Sequence, residues 1–169
     1  VQITPGNTSA TIAVTVASDA VAEPGETVVV TLGPPTNALL GAPSVHTLTI
    51  AAQQPAVSFT AASQTAAEGT AATITAQLSG VSTQAVTIPF SLTGTATTGT
   101  DYTLNPASPL TIAAGNTTAT LTLTLAADGV AEPNETAVVT MGTPVNAGAG
   151  AITVHTVTIA AQLPTVSFS

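Results

Sequence analysis

The chain has 169 residues, 44% of them hydrophobic and 5% charged; eight are acidic, none is Lys or Arg, and the formal net charge is -8. With nothing basic to pair with phosphate, nucleic acid and anionic membranes are poor partners. The absence of Cys excludes disulfides and thiolate metal sites, and no apolar run approaches the roughly 18–20 residues of a membrane helix, so no membrane insertion is expected in this stretch.

The opening VQITPGNTSA already reads as strand rather than leader peptide, as expected of an internal or mature segment. Residues 1–60 align without a gap with residues 110–169, an offset of 109, and 36 of the 60 positions are identical. GNTSAT at 6–11 matches GNTTAT at 115–120, DAVAEPGET at 19–27 matches DGVAEPNET at 128–136, and VHTLTIAAQ at 45–53 matches VHTVTIAAQ at 154–162. That period is too long for a solenoid repeat and suits an independent domain. The expected frame is the C-terminal half of one module (1–53), a complete module (54–162) and the first strand of a further one (163–169). A lone half would leave an apolar face and strand edges uncovered, so preceding chain is expected to complete residues 1–53.

Within the complete module, strands are expected at 55–61, 70–79, 84–92, 109–113, 117–127, 135–141 and 152–160. Period-two alternation carries most of them. In 70–79, Ala72, Ile74, Ala76 and Leu78 share a face; in 84–92, Val86, Ile88, Phe90 and Leu92 do. In 117–127, Ala119, Leu121, Leu123 and Leu125 oppose Thr118, Thr120, Thr122 and Thr124. Pro89 lacks an N–H and marks an edge or a bulge. Turn clusters separate the runs, and no stretch shows capped helical periodicity. The expected fold is all-β: a two-sheet, antiparallel, immunoglobulin-like sandwich of seven strands.

The acids are not scattered. Asp19, Glu23 and Glu26 recur as Asp128, Glu132 and Glu135, and the remaining two, Glu68 and Asp101, sit at strand ends. The segment 128–135 runs from the end of one strand to the start of the next, with Gly129, Pro133 and Asn134 keeping it a turn. Three carboxylates so close repel one another unless a cation joins them. Oxygen donors without Cys or His suit Ca2+, which takes roughly 6–8 oxygens, better than zinc, copper or the stricter Mg2+. His46 and His155 are repeat equivalents that share a strand face with apolar residues, His155 with Val157 and Ile159, and are expected to be structural. No Ser–His–Asp set has motif context, so no enzyme is expected. Sequons stand at Asn7, Asn116 and Asn134.

Taken together, Val57-Ser58-Phe59, Ala67-Glu68-Gly69, Gly99-Thr100-Asp101-Tyr102, Ala113-Ala114-Gly115-Asn116, the acidic turn ending Glu135-Thr136, and His155 to Ile159 resemble a Calx-β domain. This is the calcium-binding module of sodium–calcium exchangers and of many surface proteins. The resemblance covers 54–162 and, through the repeat, 1–53. It implies a seven-stranded Greek-key sandwich with calcium at one pole, and Glu68, Asp101, Asp128, Glu132 and Glu135 as ligands. Asp19, Glu23 and Glu26 would be half of a second such site, with partners upstream. Two departures, Ala127-Asp128 in place of paired acids and Ala160-Ala161-Gln162 in place of a terminal acidic run, reduce the expectation to one ion, or two held weakly.

The expected function is a structural repeat of a long extracellular or cell-surface protein, an adhesin or fibre. Its partners would be neighbouring repeats of the same chain, and other copies in a fibre or surface layer, with Ca2+ stiffening the module and its junctions. The alternative is a metal-independent filament or sheath subunit, assembling by strand pairing and by lateral packing of Thr/Ala-rich faces that little charge repulsion opposes.

Overall fold

The computed structural model describes residues 1–17, 19, 21–127, 131–161 and 166. Asp128 and nearly all of the expected strand at 163–169 therefore lie outside the described residues. The chain forms two compact units: Val1–Ala20 with Glu26–Ile50, and Val21–Gly25 with Ala51–Ser169. The described residues contain no helix.

In the first unit, β1 (Glu26–Thr31) and β2 (Val45–Ile50) pair antiparallel, with Val28 opposite Leu48 and Val30 opposite His46. Val1, Ile3, Ile12, Val14, Val30 and Leu48 line an open apolar groove there. Their equivalents 109 residues on include Ile112, Leu121, Leu123, Val139 and Val157, each 0–1% exposed. The first unit thus presents uncovered the kind of face that the second unit buries.

The second unit begins with β3 (Ala56–Phe59), β4 (Ser63–Ala67), β5 (Ala71–Leu78), β6 (Val86–Ile88), β7 (Phe90–Gly94) and β8 (Tyr102–Asn105). It continues with β9 (Leu110–Ile112), β10 (Thr118–Leu125), β11 (Glu135–Met141), β12 (Gly148–Ala149) and β13 (Val154–Ala160). One sheet has the order β12-β3-β5-β10-β8, the other β4-β13-β11-β7, and β6 pairs with β9. Two runs of chain divide where they change partners, β3 to β4 and β6 to β7. The result is a Greek-key sandwich.

Alternation in the sequence becomes the two faces of each sheet. On β10, Leu121, Leu123 and Leu125 are buried; in register on β5, Ile74 lies opposite Leu121 and Ala72 opposite Leu123. The outer face of the same pair matches Thr120 with Thr75 and Thr122 with Thr73, cross-strand threonine pairs suited to a solvated pleat. Val139 and Val157 close the core from the second sheet. The run 84–92 differs from a single strand. Pro89 cannot donate to a ladder, so the run divides there: β6 turns to β9 and β7 to β11. Val86 and Ile88 are fully buried, whereas Phe90 and Leu92 cover the core's margin.

His155 lies in the sandwich with Val157 and Ile159, 3% exposed. Its Nδ1 donates to the Ala61 carbonyl at 2.7 Å, and its ring meets Phe59 edge-on at 6.2 Å. Both contacts pin the segment where the first run crosses between sheets, a structural task.

Candidate metal centre

One pole of the second unit gathers acids from three connections between strands and from the start of β11. The first is the turn Ala67–Thr70 between β4 and β5. Thr70 donates to the Ala67 carbonyl through its amide at 3.3 Å and through Oγ1 at 2.6 Å. Gly69 has φ +71°, a left-handed conformation that a side chain disfavours. Its amide donates to the Ala126 carbonyl at 3.1 Å, and the Leu125 amide donates to Thr70. The turn carrying Glu68 is thereby tied to the end of β10.

Asp101 comes from the loop between β7 and β8. Its Oδ2 accepts from the Thr97 amide at 2.6 Å, and its own amide donates to the Thr97 carbonyl at 2.9 Å. Below it, Tyr102 is buried and its Oη accepts from Thr98 Oγ1 at 2.7 Å. The Asp101 carbonyl accepts from Ala126 at 2.8 Å, so this loop too is fastened to the end of β10. The Thr136 amide donates to Thr95 Oγ1 at 2.9 Å and the Ala96 amide to the Thr136 carbonyl at 3.0 Å. That pair holds the loop against the start of β11. Glu135 is the first residue of β11, set by its pairing with Ile159.

These connections bring Glu68, Asp101, Glu132 and Glu135 around one small cavity of about 10 Å3, closed by Thr100, Ala126 and Ile159. That is room for one occupant of water or ion size. Asp101, Glu132 and Glu135 each place a carboxylate oxygen within 4.8 Å of the others. Oxygens on opposite sides of a Ca2+ ion stand about 4.6–5.2 Å apart at its usual bond lengths, so one ion can reach all three. Glu68 Oε2 is buried and meets no hydrogen-bond donor among the described residues. Burying a carboxylate oxygen without a partner is costly, and a cation in the cavity is the group that would satisfy it.

Burial, then the charges of Asp101 and Glu132, a hydrogen bond with Asp101 and the charge of Glu68 hold the Glu135 pKa above its ordinary value. At such spacing each like-charge pair costs on the order of 1–4 kcal/mol between aqueous and surface dielectrics. That is large beside a domain's total stability of about 5–15 kcal/mol. The chain has no Lys or Arg, so neutralisation of the pole would come from a proton or an external cation.

Of the expected ligands, Glu68, Asp101, Glu132 and Glu135 converge, while Asp128 lies outside the described residues. Asp19, Glu23 and Glu26 are exposed. Among the described residues, the group of three able to share one ion is Asp101, Glu132 and Glu135. The Thr97 amide that orients Asp101 leaves no trace in the sequence beyond the small Gly/Thr loop before Asp101.

A family model for the Calx-beta domain matches residues 1–54 and 51–162. Among solved structures, the chain is similar to the apo-form Calx CBD1 domain: TM-score 0.56, 18% identity, covering 64% of this chain and 97% of that one. It is also similar to CBD12 from CALX1.2, with TM-score 0.54, 19% identity and coverage of 61% of this chain and 42% of that one. A third match is the calcium binding domain CBD12 of CALX1.1, with TM-score 0.55, 19% identity and coverage of 62% and 43%. The chain thus spans less than half the length of the two CBD12 structures, and at these identities the likeness concerns the fold. No curated protein matches the chain.

Proposed function

The chain belongs to the Calx-beta domain family, and on that premise we propose that its acidic pole binds Ca2+ and makes the module a calcium-stiffened repeat of a long extracellular surface protein, an adhesin or fibre. The observation that carries this reading is the buried, unpartnered Glu68 Oε2 on a cavity shared with Asp101, Glu132 and Glu135. The four carboxylates come from three connections: Glu68 from the β4–β5 turn, Asp101 from the β7–β8 loop, and Glu132 and Glu135 from the approach to and start of β11. An ion shared among them would cross-link those connections. Without it, their mutual repulsion loosens the same loops. Ca2+ fits better than Mg2+ because Ca2+ accepts irregular cages of carboxylate oxygens drawn from several turns, whereas Mg2+ demands a near-ideal octahedron. Asp128 is proposed as a further ligand of this site. Asp19, Glu23 and Glu26 are proposed as the matching part of a site in the preceding repeat. Neighbouring repeats of the same chain are the proposed partners, and no catalytic role is assigned.

The test is thermal melting of the chain in calcium and in EGTA, for wild type and for Glu68→Gln. At a calcium concentration 100 times Kd, binding adds about 2.7 kcal/mol, a rise of about 5–10 °C in Tm. Glu68→Gln is expected to reduce that rise. Equal melting in calcium and EGTA would turn the acids into loop decoration and favour metal-independent assembly.

A further inference from the structure

Residues Val21–Gly25 belong by sequence to the earlier copy of the repeat, yet they fold as part of the second unit. Ala22 lies beside Ser82, in the connection between β5 and β6, as a parallel β-bridge. The Ala22 amide donates to the Val81 carbonyl at 2.8 Å, and the Thr83 amide donates to the Ala22 carbonyl at 3.1 Å. The Gln53 amide donates to the Glu23 carbonyl at 3.0 Å. Ala22 is 5% exposed and Ser82 3%. The receiving segment is braced from behind: the Ser82 carbonyl accepts from Gly115 at 2.9 Å, and Ser82 Oγ accepts from the Gln84 amide at 3.1 Å. This is a main-chain socket, one residue wide, with one inserted residue.

The residue 109 positions after Ala22 is Ala131, within the same Val-Ala-Glu-Pro sequence, and Ala131 is exposed. One repeat position is therefore seated in a socket in one copy and open to solvent in the other. We propose that Ala131 is the plug for the Val81–Thr83 socket of a following copy of this module, so that successive repeats are joined by a backbone β-bridge. The socket reads an extended main chain, and it needs a small side chain at the plug because the seated residue is buried. The bridge itself needs no cation and stands whether or not the acidic pole binds one. Within a continuous chain the following socket is held at high effective concentration, so a few hydrogen bonds suffice to close the joint.

Amide hydrogen exchange tests both halves. In the 169-residue chain, the Thr83 amide is expected to be protected. Ala22→Pro, which removes the donor to Val81, should speed its exchange by about tenfold, while the Leu123 and Val139 amides keep their rates. In a chain lengthened after Gln162 by a further copy of residues 54–162, the Ala131 amide should exchange about tenfold more slowly than in the 169-residue chain. This second arm uses no substitution, so it decides the proposal even where Ala22→Pro disturbs the fold. An Ala131 amide that exchanges equally fast in both chains overturns the proposal.

Discussion

Glu135, the first residue of β11, faces Asp101, Glu132 and Glu68 across the cavity. Its raised pKa, caused first by burial and then by Asp101 and Glu132, means that the folded chain binds more protons than the unfolded one in the range between the two values. Stability from this group is therefore fully present at acid pH and is lost as pH rises from the ordinary carboxylate range through the raised value. The metal-free protein is expected to melt higher near pH 5 than near pH 7, and saturating calcium should shrink that difference because the ion competes with the proton. Melting curves at the two pH values, in EGTA and in calcium, check this. Glu135→Gln removes one repelling charge and one ligand together. It is expected to raise Tm in EGTA and to weaken calcium binding by about tenfold, about 1.4 kcal/mol, read by melting and by titration. A variant with lower Tm in EGTA would show that repulsion is not what strains the pole. The sequence marks these residues well, since they are four of only eight charged residues in the chain, all of them acidic. It does not reveal that Glu68 Oε2 is buried, because that follows from how the β4–β5 turn packs on the end of β10.

At the scale of the elements, the core and the site are held by different contacts and can be separated. Gly94 ends β7 with φ +127°, and a Cβ there would collide with the Thr136 carbonyl. Gly94→Ala is expected to cost about 1–3 kcal/mol of stability and to weaken calcium binding, since the loop carrying Asp101 begins beside it. Leu123→Ala, at a fully buried position of β10, is expected to cost about 2–5 kcal/mol while calcium affinity in the folded protein stays close to wild type. Denaturant unfolding paired with calcium titration distinguishes the two. The strands that alternate strictly, β5 and β10, are legible because period two and β-branched or apolar residues coincide there. β4 is not, because Ser63-Gln64-Thr65-Ala66-Ala67 has no apolar alternation. It exists because the first run crosses sheets and pairs parallel with β13. Pro89 signals an interruption, but only tertiary pairing decides that β6 and β7 join different partners.

For the whole molecule, the chain has no Lys or Arg to balance its acidic pole, and the proposed role of calcium there is structural. Binding that ties together the β4–β5 turn, the β7–β8 loop and the approach to β11 should order one end of the sandwich as a block. The repeat of residues 1–60 at 110–169 is plain in the sequence, whereas the Ala22–Ser82 bridge is a tertiary contact without any motif of its own. The most direct test of the calcium pole is a calorimetric calcium titration of the 169-residue chain beside Glu68→Gln. Saturable binding in the wild type, clearly weakened in Glu68→Gln, is the expected result. No binding heat in the wild type, or affinity unchanged by the loss of Glu68, would contradict a calcium ion at this pole.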